Sequence, residues 1–342
     1  MIRSVAVGLL AAWAALGPIL AAPMPRYDHV FIIIEENRTA DQIIGNPAAP
    51  AFNRLAKNYG YASNYFAVAH PSQPNYIALL GGDTFGITDD DAYFCKPGDR
   101  RAGCSHAGES GYVNHTIRAP ALTDRLEGRG LSWKGYFESI PQPGSTVDVW
   151  PASGPRAGLY AVKHNGFMAF KSVQDDPRRT ARIVGFDALE RDIAADALPN
   201  FAQIVPDQCD DMHGRASCRD GTELVKRADA TLGRIVKQIM ATPMWKGAQN
   251  CAIVVTFDED GGDSLNLNSW LAKLPSAGGW IATIVITNHG PRGLTDATAY
   301  DHYSLLRSLE GAFGLSGHLG HAAAASAMTP MFALLARKRA GP

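Results

Sequence analysis

The chain has almost no net charge: 32 Lys and Arg stand against 33 Asp and Glu, leaving −1 over 342 residues. Proteins that gather nucleic acid or an anionic membrane by bulk attraction need a basic excess, so neither is expected as a partner. No internal repeat, low-complexity tract or obvious linker breaks the sequence, which leaves residues 23–342 as a single domain. Cysteine is scarce, with five in all, and none sits in the close C-x-x-C spacing of the usual zinc sites. What is plentiful is apolar matter, 46% of residues, enough to fill a large core.

Only the N-terminus departs from this even texture. "MIRSVAVGLLAAWAALGPILAAP" joins one Arg, an apolar run and the small residues Ala21 and Ala22. That is the layout of a secretory signal peptide over residues 1–22, and it predicts a periplasmic or secreted protein with no integral span after cleavage. The cysteines agree with export. Cys95 and Cys104 lie nine apart in a polar stretch, as do Cys209 and Cys218, and each pair reads as a local disulfide in an oxidising compartment. Cys251, left over beside "AIVVTF", reads as a buried thiol.

Along the chain, apolar β-branched runs alternate with helical patterns. "HVFIII", "ASNYFAVA", "LSWKGYFES", "NFAQIVP", "CAIVVTF" and "IATIVIT" read as strands. "PNYIALLGG", "FDALERDIAADALP", "GTELVKRADATLGRIVKQIMAT" and "YSLLRSLEGAFGL" read as helices. The alternation predicts an α/β fold with a mainly parallel central sheet and helices on both faces. In such sheets ligands gather at the carboxyl ends of strands. "EEN", "HPSQPN", "PDQCDDMH" and "DED" each follow a strand, so four chemically rich segments are expected on one rim.

Taken singly, each segment has an ordinary explanation. Glu35, Glu36 and Asn37 could open a helix, where carboxylates favour the dipole. Ser72, between two prolines, could be a helix N-cap. The same serine would also be well placed for phosphoryl transfer, since free N–H groups and the dipole favour an anion there. Carboxylate and amide oxygens at two strand ends suit a hard divalent cation.

The segments "EENRTAD", "HPSQPNYIALLGG", "PDQCDDMHG", "VVTFDEDGG" and "DHYSLLRSLEGAFGL" occur in this order. Together they resemble the phosphoesterase family that groups bacterial acid phosphatases with phospholipases C, within the alkaline phosphatase superfamily. The forms "EENR" and "HPSQPNY" are most similar to its secreted acid phosphatase branch, which includes phosphatidylinositol-3-phosphatases. The resemblance implies an alkaline-phosphatase-like fold and a hydrolase acting on phosphate esters. It implies Ser72 as a nucleophile passing through a phosphoserine. It further implies one divalent cation (Ca, Mg, Mn or Zn) on Glu36, Asn37, Asp258 and Glu259, with His164, His213 and His302 as catalytic histidines. His70, Lys163, Asn75, Tyr136 and His115 are then expected along the substrate pocket. Asp260 and Glu35 are the weaker members of their clusters, Asp260 being read as a turn residue.

Three functions follow from these expectations. The first is a secreted phosphomonoesterase acting on a small-molecule or lipid-headgroup phosphate ester. The second is a phospholipase C or other phosphodiesterase using the same residues. The third is an exported protein that binds metal or phosphate without catalysis, for which an intact Ser72 would have no use.

Overall fold

The protein is described by a computed structural model in which residues 23–218, 221–261 and 278–335 are placed. The expected signal segment, 1–22, lies outside the described residues.

Strand β1 (His29–Glu35) is buried along its whole length. A strand with both faces covered needs apolar residues at every position, which is why "VFIII" shows no alternation. It runs parallel to β8 (Cys251–Phe257) on one side and β7 (Phe201–Val205) on the other. The remaining strands are β2 (Gly60–Phe66), β3 (Trp133–Phe137), β6 (Ile183–Val184), β9 (Trp280–Thr287) and β10 (Leu294–Asp296). They complete a sheet of order β10-β2-β9-β8-β1-β7-β3-β6, with β11 (Tyr300–Asp301) pairing β2. Among the described residues of this sheet the reversed strand is β9, antiparallel to both β8 and β2. The architecture is therefore the mainly parallel α/β sheet that the alternation of strands and helices predicts.

Alternation along β8 sends Phe257 and Asp258 to opposite faces of the sheet. On the Phe257 face, Phe52 stacks on that ring at 5.7 Å, carried by the helix Pro50–Asn58. The long helix Gly221–Ala241 packs beside it, and Asp229 reaches across to accept from the backbone N–H groups of Ala51 (3.0 Å) and Phe52 (2.9 Å). On the Asp258 face lies the helix Ser72–Gly81, every residue of which is buried, packed against His302–Phe313.

Both cysteine pairs form the expected disulfides, Cys95–Cys104 and Cys209–Cys218, with Cα atoms 5.6 and 5.4 Å apart. Cys251 is buried, and burial pushes its thiol up to about 12, which leaves it unreactive. The Pro- and Gly-rich stretch near 141–160 carries a short antiparallel ribbon of β4 (Val149–Trp150) and β5 (Tyr160–Ala161). Strand β6 was also not expected. At two residues it is too short to leave a periodic signal.

Asp229 acts as a helix cap from a distant element, because the N–H groups of Ala51 and Phe52, in the first turn of Pro50–Asn58, have no partner within the helix. Asp229→Ala is expected to cost about 1–3 kcal/mol, the range for leaving buried donors unpaired. Urea unfolding would read this as a lower midpoint at constant slope; an unchanged midpoint would refute it.

Candidate active site

Three strand ends and one helix start meet at a single point. Beyond β1, Glu36 continues the ladder through its N–H to Asp211 O (2.7 Å), which pins the segment after β7 against the end of β1. Asn37 takes a left-handed conformation, φ 57°, at which asparagine is tolerated better than most residues. That turn lets the Asn37 N–H donate to Asp258 Oδ1 at 3.2 Å. Gly261 closes over it: at φ 82°, with a Cβ that would fall 3.0 Å from Asn37 O, a side chain there would strain the turn.

Ser72 opens its helix with its hydroxyl facing acids. Oγ donates to Glu36 Oε2 at 3.2 Å and lies 3.5 Å from Glu259 Oε1. One turn on, Tyr76 falls on the same helix face and donates to Glu36 Oε1 at 2.6 Å. His164 stacks on the Tyr76 ring, and its Nε2 lies 3.2 Å from Glu36 Oε1 without the alignment of a hydrogen bond. Its Nδ1 is 3.9 Å from Asp211 Oδ2. Beyond it, Lys163 Nζ donates to Asp90 Oδ2 at 2.8 Å and lies 3.4 Å from His213 Nε2.

The electrostatics of this cluster are unfavourable as it stands. Glu36, Asp211 and Asp258 have no solvent exposure, and Glu259 has little. Burial, reinforced by Asp258 and Asp211, raises Glu36 well above the usual carboxylate range. Burial and then Glu259 push Asp258 up to about 7, and burial also raises Asp211. Lys163 and His70 supply positive charge. Hydrogen bonds donated to Asp260 and Glu259 raise His70 to about 10. Two histidines go the other way: burial and then Lys163 lower His213 to about 4 and hold His164 well below its ordinary value.

Buried polar atoms normally find partners, and here several do not: Asn37 Oδ1, Asp211 Oδ2, Asp258 Oδ2 and His164 Nε2. Ligand atoms of Glu36, His164 and His213 also lie within 4.8 Å of one another. Unpartnered carboxylate and amide oxygens amid excess negative charge are the donor set of a hard divalent cation, and the residues fit one. Two other carboxylate-rich groups among the described residues have most oxygens engaged. Both Asp210 oxygens meet Arg227 and both Asp207 oxygens accept from Ser139 and Cys209. Asp91 accepts from Ser105 and the His106 N–H.

The structure thus brings together Glu36, Asn37, Ser72, Asp258, Glu259, His70, Lys163, His164 and His213. Four expected residues stand elsewhere. His302 is fully buried behind Asp258: Nε2 meets Asp258 O at 2.8 Å and Nδ1 meets the Tyr65 hydroxyl at 3.2 Å, so it braces the backbone rather than facing the pocket. Asn75 spends its amide on the loop before Ser72, accepting from Val68 and Ala69 and donating to Ala69 O and Pro71 O. His115 is buried behind Gln73 and against Asp89. Tyr136 is a core residue whose hydroxyl donates to Asp192. Asp260 does more than turn the chain, since it pairs with His70 Nε2 at 3.3 Å.

Asp211, Tyr76 and Asp90 were not expected. Asp211 follows a strand end within "PDQCDDMH", so the rule that singled out its neighbours applies to it; Tyr76 lies one helical turn from Ser72. Asp90, in the loop "TDDDA", leaves no pattern in the sequence.

The model of the Phosphoesterase family matches residues 46–316. The phosphatidylinositol-3-phosphatase of Mycobacterium tuberculosis is 32% identical over 318 residues, covering 92% of this chain and 87% of that protein. The phosphate-repressible acid phosphatase of Penicillium chrysogenum is 30% identical, covering 77% of this chain and 54% of its own length. The acid phosphatase of Aspergillus niger is 28% identical over 76% and 53%. The chain thus spans most of the mycobacterial relative and about half of these two fungal ones. Among solved structures, a protein of the alkaline phosphatase superfamily from Vibrio parahaemolyticus superposes with TM-score 0.56 at 13% identity, over 92% of this chain and 72% of that one. A sulfatase from Pseudoalteromonas sp. superposes with TM-score 0.52 at 11% identity, over 91% and 72%. These structures share the fold.

His302 gives the site a pH signature. Burial lowers it to about 4 in the folded protein, against roughly 6.5 when unfolded. Between those values the unfolded chain binds a proton that the folded chain refuses, so stability falls as pH drops from about 6.5 towards 4. His302→Gln is expected to lose that part of the acid sensitivity; identical slopes of unfolding free energy against pH for both proteins would refute it.

Proposed function

The chain belongs to the Phosphoesterase family and is a hydrolase of phosphate esters, and on that premise we propose a metal-dependent phosphomonoesterase with Ser72 as nucleophile. The observation that carries the proposal is Ser72 Oγ, aimed from a helix start at Glu36 and Glu259 among buried oxygens that lack partners. A cation held by Glu36, Asn37, Asp258 and Glu259 would supply charge for the phosphate oxygens and acidify the serine hydroxyl.

The chain's own groups account for the remaining chemistry. The Ser72 proton leaves along its hydrogen bond toward Glu36 while Oγ forms a bond to phosphorus. The ester P–O bond breaks on the far side, and the leaving oxygen takes a proton from His213, which acquires one from solvent when the bound phosphate dianion raises its proton affinity. Lys163 is the positive group there: burial opposes its charge, but Asp90 and Glu36 outweigh that, and its proton is held more tightly than usual. His213 and His164 rest neutral, ready to gain proton affinity once a phosphate dianion lies beside them. Water then attacks the phosphoserine, phosphate departs and Oγ regains its proton.

Two further features of the reading concern substrate and place. A polar pocket with a lysine and two histidines suits the terminal group of a monoester, on a small molecule or a lipid headgroup. Two disulfides and the signal-like N-terminus support export to the periplasm or medium.

Ser72→Ala is expected to lower kcat on p-nitrophenyl phosphate by about a thousandfold or more, with a chelator doing the same to the wild type. Melting of the variant should stay close to wild type, since the hydroxyl's hydrogen bonds to Glu36 and Glu259 are long, at 3.2 and 3.5 Å. A folded Ser72→Ala protein with full activity would refute the nucleophile. Turnover of bis(p-nitrophenyl) phosphate ahead of the monoester would replace phosphomonoesterase with phosphodiesterase.

A further inference from the structure

Asp90 belongs to neither the cation cluster nor the nucleophile, yet it is tied both to the start of the Ser72 helix and to Lys163. One carboxylate oxygen, Oδ1, accepts from the Gln73 backbone N–H at 3.0 Å. The other, Oδ2, accepts from Lys163 Nζ at 2.8 Å. Gln73 is the residue after the nucleophile, and Lys163 lies 3.4 Å from His213 Nε2. The ion pair is mostly shielded, its side chains 27% and 20% exposed, so solvent screens it less than a surface pair. A lysine side chain has four rotatable bonds and is a poor pointer unless something holds its end.

We propose that Asp90 is a positioning residue that holds the Lys163 ammonium at a fixed distance from the Ser72 helix start, where it meets the phosphate of the substrate. The inference rests on the phosphomonoesterase reading above. The geometry assigns Asp90 two separable tasks. Its charge restrains Lys163, while its Oδ1 satisfies a helix N–H, a task that any side-chain acceptor can perform. Asparagine keeps the second and loses the first.

The test is a double-mutant cycle on Asp90 and Lys163 in the full chain, with p-nitrophenyl phosphate as substrate and inorganic phosphate as competitive inhibitor. Asp90→Asn should raise KM and the phosphate inhibition constant about tenfold each, the order for a lost charge-assisted hydrogen bond. Asp90→Glu should recover part of that loss. Lys163→Met should do at least as much damage, and adding Asp90→Asn to it should do almost nothing more. Additive losses would overturn the proposal, because Asp90 would then act independently of Lys163. Tighter phosphate binding in Asp90→Asn would overturn it too, making the carboxylate a competitor for the phosphate position. An unchanged phosphate inhibition constant in a folded Asp90→Asn protein would leave Asp90 with only its helix-start contact. If the wild type hydrolyses no monoester in the same assay, the failure belongs to the functional reading instead.

Discussion

The constraint on which this structure turns is the burial of like charge. Glu36, Asp211, Asp258 and Glu259 converge at the carboxyl ends of three strands with little or no access to water. Desolvation disfavours each ionised form, and every neighbour makes it worse. Lys163 and His70 offset part of this from the two sides of the pocket. The rest explains why Glu36, Asp211 and Asp258 hold their protons above the usual carboxylate range, and why several oxygens lack partners. A site in this condition stores an affinity for positive charge. Phosphoryl transfer is a reaction that uses such an affinity, because charge develops on the oxygens surrounding phosphorus.

The fold makes that burial tolerable by spending few side chains on it. Backbone ladders carry the segments to the rim: the Glu36 N–H to Asp211 O, the Asp258 N–H to Glu35 O, and β1 with β8 in seven-residue register. Alternation then puts Phe257 against Phe52 and Asp258 against the Ser72 helix, so one strand anchors the core on one face and the chemistry on the other. Around the rim, residues without direct business in the pocket fix those that have it. Asn75 ties down the loop before Ser72, His302 holds the Asp258 carbonyl and Tyr76 orients Glu36. His302 and Asn75 sit within the family's motifs, yet the structure gives them support rather than contact with the pocket.

This division marks what the sequence could reveal. Strands such as "VFIII" and "AIVVTF" were legible because continuous burial leaves continuous apolar runs. Placing Glu36, Asp258 and Ser72 together followed from the strand-end rule and from the order in which the motifs occur. Roles that depend on side-chain direction were not legible. His302 and His164 are alike as letters, but one points behind a strand and the other toward Glu36. Tyr136 was expected along the substrate pocket, whereas its register in β3 turns its hydroxyl to Asp192. Asp90 reaches Lys163 across 73 positions of sequence, a contact that no local pattern encodes.

The most direct test of the account is the melting temperature of wild type and Asp258→Asn, each measured at about pH 8.5 in chelator and again with saturating divalent cation. A carboxyl pushed up to about 7 is ionised at that pH, so in chelator it is a buried charge without compensation. Asparagine keeps the oxygen that accepts the Asn37 N–H and removes the charge. The account predicts that Asp258→Asn melts above wild type in chelator and below it with cation, since only the wild type gains fully from binding. If wild type melts higher under both conditions, the carboxylates are ordinary structural partners and the cluster is not a cation site.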